Sequence, residues 1–120
     1  MKDLYNYLIT EASTTSIINK IKTEFKREFG DNVKIRSAKA NYTQLYDVDI
    51  YKDNIETLKR VNNILKKHLT FWKGFSDEEM QEKIDNQHDF LKRHNEELQR
   101  YPIEFCRFTS KDITKMLNKR

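Results

Sequence analysis

The chain has 120 residues, a formal net charge of +4, and 37% hydrophobic against 35% charged residues, a balance that fits one folded domain with a modest core and a heavily charged surface. Two glycines are too few for a phosphate-cradling loop or a dinucleotide fingerprint, and the single cysteine forms no internal disulfide. Nucleotide-dependent enzymes are therefore set aside, and no cofactor is expected.

Leu4, Tyr7, Leu8 and Glu11 recur at helical spacing and would form one narrow stripe ending in a carboxylate. Ala12 and Ser13 follow, both small, so Ile9 to Ala12 has the make-up of an extended protease site cut after Glu11. From Ser13 the pattern predicts a helix: STTS offers capping hydroxyls, Ile17, Ile18, Ile21, Phe25 and Phe29 share a face, and Gly30 stands where a helix stops. Val33 and Ile35 alternate with Lys34 and Arg36, and Tyr46, Val48 and Ile50 alternate with Asp47, Asp49 and Tyr51. Joined by Ala40 to Thr43, these segments predict an antiparallel hairpin with basic and acidic residues paired on its solvent face.

Asp53 followed by Glu56 suggests a capped helix through about His68, with Ile55, Leu58, Val61, Leu65 and Leu69 inward. Phe71, Trp72 and Phe75 crowd around Gly74 and read as a hinge packed on the core in preference to a base-stacking platform. Ser76 and Glu79 open a helix predicted to run to about Arg100, with a thin apolar face of Met80, Ile84, Leu91 and Leu98. Met80, Ile84, Gln87, Leu91, His94 and Leu98 also alternate by four and three, the spacing of a self-associating seam. Ile103 to Phe108 reads as a strand, and Ser110 caps a short basic helix with Ile113, Met116 and Leu117 inward. The expected class is α+β: a hairpin plus a C-terminal strand, packed with four or five helices in one domain spanning residues 13–120, with residues 1–12 a targeting peptide or an N-terminal helix.

The opening MKDLYNYLITEA resembles the capsid-targeting peptides of internal head proteins of T-even-type tailed bacteriophages, which begin with Met-Lys, carry a short aromatic and aliphatic stretch and end in Glu-Ala. Asp3 and Leu4 depart from that pattern, and residues 13–120 carry no such resemblance. It implies processing between Glu11 and Ala12, packaging in the virion interior, and delivery into the host cytoplasm, where some members of the family block defence enzymes.

Charge lies in blocks. Residues 57–73 hold five basic groups and no acidic one, whereas residues 76–100 hold eight acidic and four basic groups. The leading expectation is a non-enzymatic protein that binds a host or virion protein through Phe71, Trp72 and Phe75 or through Glu78, Glu79 and Glu82. A genome-associated packaging protein is the alternative, using Lys34, Arg36, Lys39, Arg107, Lys111, Lys115 and Lys119 on one basic face to hold phosphates by counterion release. A metal-dependent nuclease is the second alternative, because Asp47 and Asp49 share a strand face with Lys52 nearby. His88 and His94, six apart, do not make a ligand pair, and Cys106 reads as a buried strand residue. No stretch reaches the roughly twenty apolar residues of a membrane span, so a cytosolic chain with no membrane partner is expected.

Overall fold

The computed structural model describes the backbone of residues 2–118 and the side chains of residues 13–118. The stripe expected over residues 4–11, the Glu11–Ala12 processing pair and Lys119 lie outside the described side chains. The described chain is α+β, with four helices and one three-stranded antiparallel sheet of order β1-β2-β3.

Helix α1 spans Lys2–Phe29. Ser13 to Ser16 therefore sit inside the helix and do not cap it, contrary to the sequence expectation. No glycine or proline precedes Gly30 to interrupt the helix, and hydroxyls are tolerated within it when they bond to their own preceding turn, as Thr23 Oγ1 donates to the Asn19 carbonyl at 2.8 Å. Gly30, at φ +61°, ends the helix and returns its N–H to the Lys26 carbonyl. Ile18, Ile21, Phe25 and Phe29 are buried.

Strands β1 (Val33–Ala40) and β2 (Thr43–Ile50) form the expected hairpin, turning through Asn41 and Tyr42, both at positive φ. β2 is the central strand. Its Tyr46, Val48 and Ile50 enter the core, and β3 (Ile103–Thr109) adds Ile103, Phe105 and Phe108. A β-bulge opposite Val48 and Asp49 lets Glu104 and Arg107 share the face away from the core.

Helix α2 spans Ile55–His68 and is capped by Asn54, one residue later than expected, whose Oδ1 accepts the Glu56 N–H at 2.8 Å. Asp53 is left to pair with His88 at 2.7 Å. Leu58, Val61, Leu65 and Leu69 are fully buried, as the periodicity requires. Helix α3 spans Asp77–His94 and carries the expected Ser76–Glu79 capping box. It stops at Asn95, in left-handed conformation, well before Arg100. Asparagine tolerates that conformation where most residues do not, and its N–H closes the last turn on Leu91 and Lys92.

Met80 and Ile84 are buried in the domain's own core, and Leu98 lies beyond the helix end, so the helix does not carry the six-residue seam as one free face. Helix α4 spans Ser110–Asn118. Its cap is Thr109 and not Ser110: Thr109 Oγ1 accepts the Asp112 N–H while Asp112 Oδ2 accepts the Thr109 N–H. Ser110 Oγ instead accepts the Gln44 N–H.

The corner between α2 and α3 packs on the core. Trp72 and Phe75 meet edge to face at 5.1 Å, and Phe75 meets Phe105 in the same way at 5.1 Å. Buried Asn62 organises this corner, its Oδ1 accepting from Trp72 Nε1 and Phe75 N and its Nδ2 donating to the Phe75 carbonyl. Gly74, at φ +84°, lies so close that a Cβ would stand 3.0 Å from the Asn62 amide. Phe71, Trp72 and Phe75 thus pack against the core as the expected hinge while remaining half-buried.

Candidate functional site

The sheet face away from the core is built from charged residues. β1 supplies Arg36, β2 supplies Asp47 and Asp49, and β3 supplies Glu104 and Arg107. The two aspartates are buried, at 7% and 3% exposure, although their strand period placed them on a solvent face. A central strand is flanked on both sides, so long side chains from its neighbours fold over its carboxylates.

Arg107 donates from Nε to Asp47 Oδ1 at 2.7 Å and from Nη2 to Oδ2 at 3.3 Å. Arg36 donates from Nε to Asp49 Oδ2 at 3.0 Å and approaches Asp47 and Glu104 at 3.7 Å. The hydrogen bond to Asp49 raises the Arg36 guanidinium above its ordinary value, and that to Asp47 does the same for Arg107. The strand pairing thus brings Asp47 and Asp49 together, but their oxygens already accept from guanidinium groups. Such an arrangement neutralises two buried charges; a metal-dependent nuclease would need the same lone pairs for its cation. Among the described residues no group of three His, Cys, Asp or Glu side chains is placed to hold a metal ion. The Cys106 thiol is pushed up to about 12 by burial, which keeps it protonated and a poor nucleophile.

The six basic candidates among the described residues separate in space. Arg36 and Arg107 are engaged with internal carboxylates. Lys34 shares their face and lies over the Tyr51 ring at 5.6 Å, whereas Lys39 stands one strand position out of phase with Lys34 and Arg36, on the other face of β1. Lys111 and Lys115 are exposed on α4, which buries Ile113 in the core layer on the opposite side of the sheet from Asp47 and Asp49.

Between α1 and α2 a groove of about 740 Å³ is lined in part by Glu24, which accepts from Lys67 at 2.6 Å and pairs with His68 at 2.7 Å. The Lys67 hydrogen bond, then that of His68, holds the Glu24 carboxyl below its usual range. This pair escaped the sequence reading because its members lie 44 residues apart.

Helix α3 differs from the rest of the surface. Glu78, Glu82, Asp85 and Asp89 follow one another at four, three and four residues, which sets them in one stripe opposite buried Met80 and Ile84. All four are exposed, and among the described residues none has an ion-pair partner. Glu79 is different, because its carboxylate accepts the Ser76 N–H in the capping box. Only Glu78 and Glu82 of the stripe belong to the acidic trio singled out by sequence; Asp85 and Asp89 follow from extending the same spacing.

Comparison of the chain with protein-family models, with curated proteins and with solved structures gave no match. The site is therefore read from its own geometry.

Proposed function

We propose that this protein is a non-enzymatic binding protein of a tailed phage, carried with the virion, that acts on a host or virion protein presenting a basic surface. The observation that carries this reading is the α3 stripe. Among the described residues Glu24, Glu28, Asp31, Asp47, Asp49, Asp53, Glu56 and Asp77 all meet a cationic side chain or histidine, whereas Glu78, Glu82, Asp85 and Asp89, like the isolated Glu97, form no ion pair, Asp85 accepting from Gln81 instead.

Like charges three or four residues apart on a helix cost about 0.2–0.5 kcal/mol each. A row of them on a chain of net charge +4 works against helix stability and is relieved when a positive surface covers it. The stripe runs about 16 Å along the helix axis, long enough to lie in a cleft. Basic clefts of this kind belong to proteins that handle nucleic acid, which suits an inhibitor of a host defence enzyme. The targeting-type opening supports delivery to that setting.

The test is capture from host and virion extracts by the immobilised protein, compared with a variant in which Glu78, Glu82, Asp85 and Asp89 are changed to Lys. Glu79 is left intact to preserve the cap. A partner held by the wild type should be released by moderate salt and weakened at least about tenfold in the variant. Equal binding of every detected partner by both proteins would remove the proposal.

A further inference from the structure

We infer that the cleft between helix α3 and the polar face of the sheet binds a nucleotide unit, with its base on aromatic rings and its phosphate on Lys83 and Arg100. The cleft measures about 690 Å³, within the roughly 300–1,000 Å³ of small-molecule sites. α3 meets its surroundings on three faces. Met80 and Ile84 enter the core, and the acidic stripe from Glu78 to Asp89 meets solvent. Lys83, Asn86, Gln87 and Phe90 recur at helical spacing on the third face and line the cleft.

The walls are fixed by the fold itself. Gln87 Nε2 donates to the Tyr101 carbonyl at 2.6 Å, tying the segment after α3 back to the helix, and the N–H groups of Arg100 and Tyr101 bond to the Glu97 carbonyl. Tyr101 thereby meets Phe90 edge to face, with ring centroids 5.6 Å apart. Tyr51, just past the end of β2, lines the same cleft. Tyr101 is exposed, and Phe90 and Tyr51 are half-buried. Ring surface is thus open to a flat partner, and every nucleobase offers such a face.

Charge gives the ligand its sign. The two carboxylates of the cleft face one guanidinium: Asp49 accepts from Arg36 at 3.0 Å, and Glu104 stands 3.7 Å from it. Lys83 and Arg100 are left in excess. Among the described residues Lys83 forms no ion pair and rests over the Phe75 ring at 4.4 Å, while Arg100 is 74% exposed with Glu96 at 3.9 Å. Lys34 adds a cation beside the Tyr51 ring, at 5.6 Å. With two glycines in the chain, phosphate is met by side chains instead of a backbone loop. Asn86 is exposed and has no hydrogen-bond partner among the described residues, so its amide presents a donor and an acceptor to a base edge. A cationic ligand would oppose Lys83 and Arg100, and an apolar one would leave them unused. The cleft lies on a different face of α3 from the acidic stripe, so this inference stands independently of the proposed function.

Titration calorimetry with adenosine 5′-monophosphate, and fluorescence anisotropy with a labelled single-stranded oligodeoxyadenylate, test the site and separate a free nucleotide from a strand. At least one probe should bind with a dissociation constant below about 1 mM. Adenosine and inorganic phosphate each carry half of the recognised chemistry and should bind at least about tenfold more weakly. Phe90→Leu and Arg100→Gln should each weaken the bound probe by about tenfold or more, with unchanged circular dichroism. Arg100 is exposed, so its replacement keeps the inference testable should Phe90→Leu not fold. Failure of both probes to bind, inorganic phosphate binding as tightly as the nucleotide, or wild-type affinity in Arg100→Gln overturns the inference.

Discussion

Arg107 grips Asp47 through two hydrogen bonds, at 2.7 and 3.3 Å, across 60 residues of sequence. That contact and its counterpart between Arg36 and Asp49 decide how a central strand buries two carboxylates. Removing one partner of a buried pair strands the other, but the arginines here are more than half exposed, so water recovers part of the loss. Asp47→Asn should lower unfolding free energy by about 1–2 kcal/mol. Chemical denaturation measures it, and a double-mutant cycle with Arg107→Gln should show coupling.

Asn62 satisfies the backbone of Phe75 and the indole of Trp72 together. Asn62→Ala should cost about 2–3 kcal/mol, since several polar groups lose their partner at once. Trp72 is the single tryptophan, so its emission should move to the red if the corner opens. Gly74→Ala should add backbone strain of about 1–3 kcal/mol, together with crowding against Asn62. A native-like melting temperature in both variants would contradict the clamp.

Glu24 gives the α1–α2 packing an acid dependence. Its folded pKa lies below the ordinary value of 4.5, chiefly through Lys67 and then His68. A depressed carboxyl contributes stability that is complete above its unfolded pKa and lost as pH falls from there through the folded pKa. Glu24→Gln should therefore be less stable than wild type near neutrality by about 1 kcal/mol, and the difference should shrink below pH 4.5. Thermal melts across that range provide the measurement.

Tyr42 holds φ +65° at the hairpin tip. Tyr42→Gly relieves that left-handed conformation and should stabilise the protein by about 1 kcal/mol. Thermal melting provides the measurement, and a melting temperature below that of the wild type would contradict it.

Removal of residues 1–11 as a targeting peptide, the processing that the proposed function carries with it, would leave a covalent record. Protein isolated from virions should have the intact mass of a chain that begins at Ala12. A chain still carrying Met1 would withdraw the processing proposal and leave the α3 reading to stand alone.

Periodicity and end signals are local, and they survive translation into structure. The α1 face of Ile18, Ile21, Phe25 and Phe29, the hairpin, the Ser76–Glu79 capping box and the inward side of α2 were all legible, because each depends on residues a few positions apart. Where local signals competed, neighbouring residues took the role: Asn54 capped α2 in place of Asp53, Thr109 capped α4 in place of Ser110, and Asn95 stopped α3 short of Arg100.

The candidate sites divide in the same way. The α3 stripe is visible in sequence because four carboxylates at helical spacing must share a face once the helix forms. Burial of Asp47 and Asp49 is not visible, since it required β2 to be central and β3 to arrive with Arg107 after a bulge. The sequence by itself determined the elements and their apolar faces, through interactions within a few residues of chain. Only the tertiary structure decided which charges are neutralised and which strand edge stays open, because those depend on pairings between residues that sequence separation leaves unrelated.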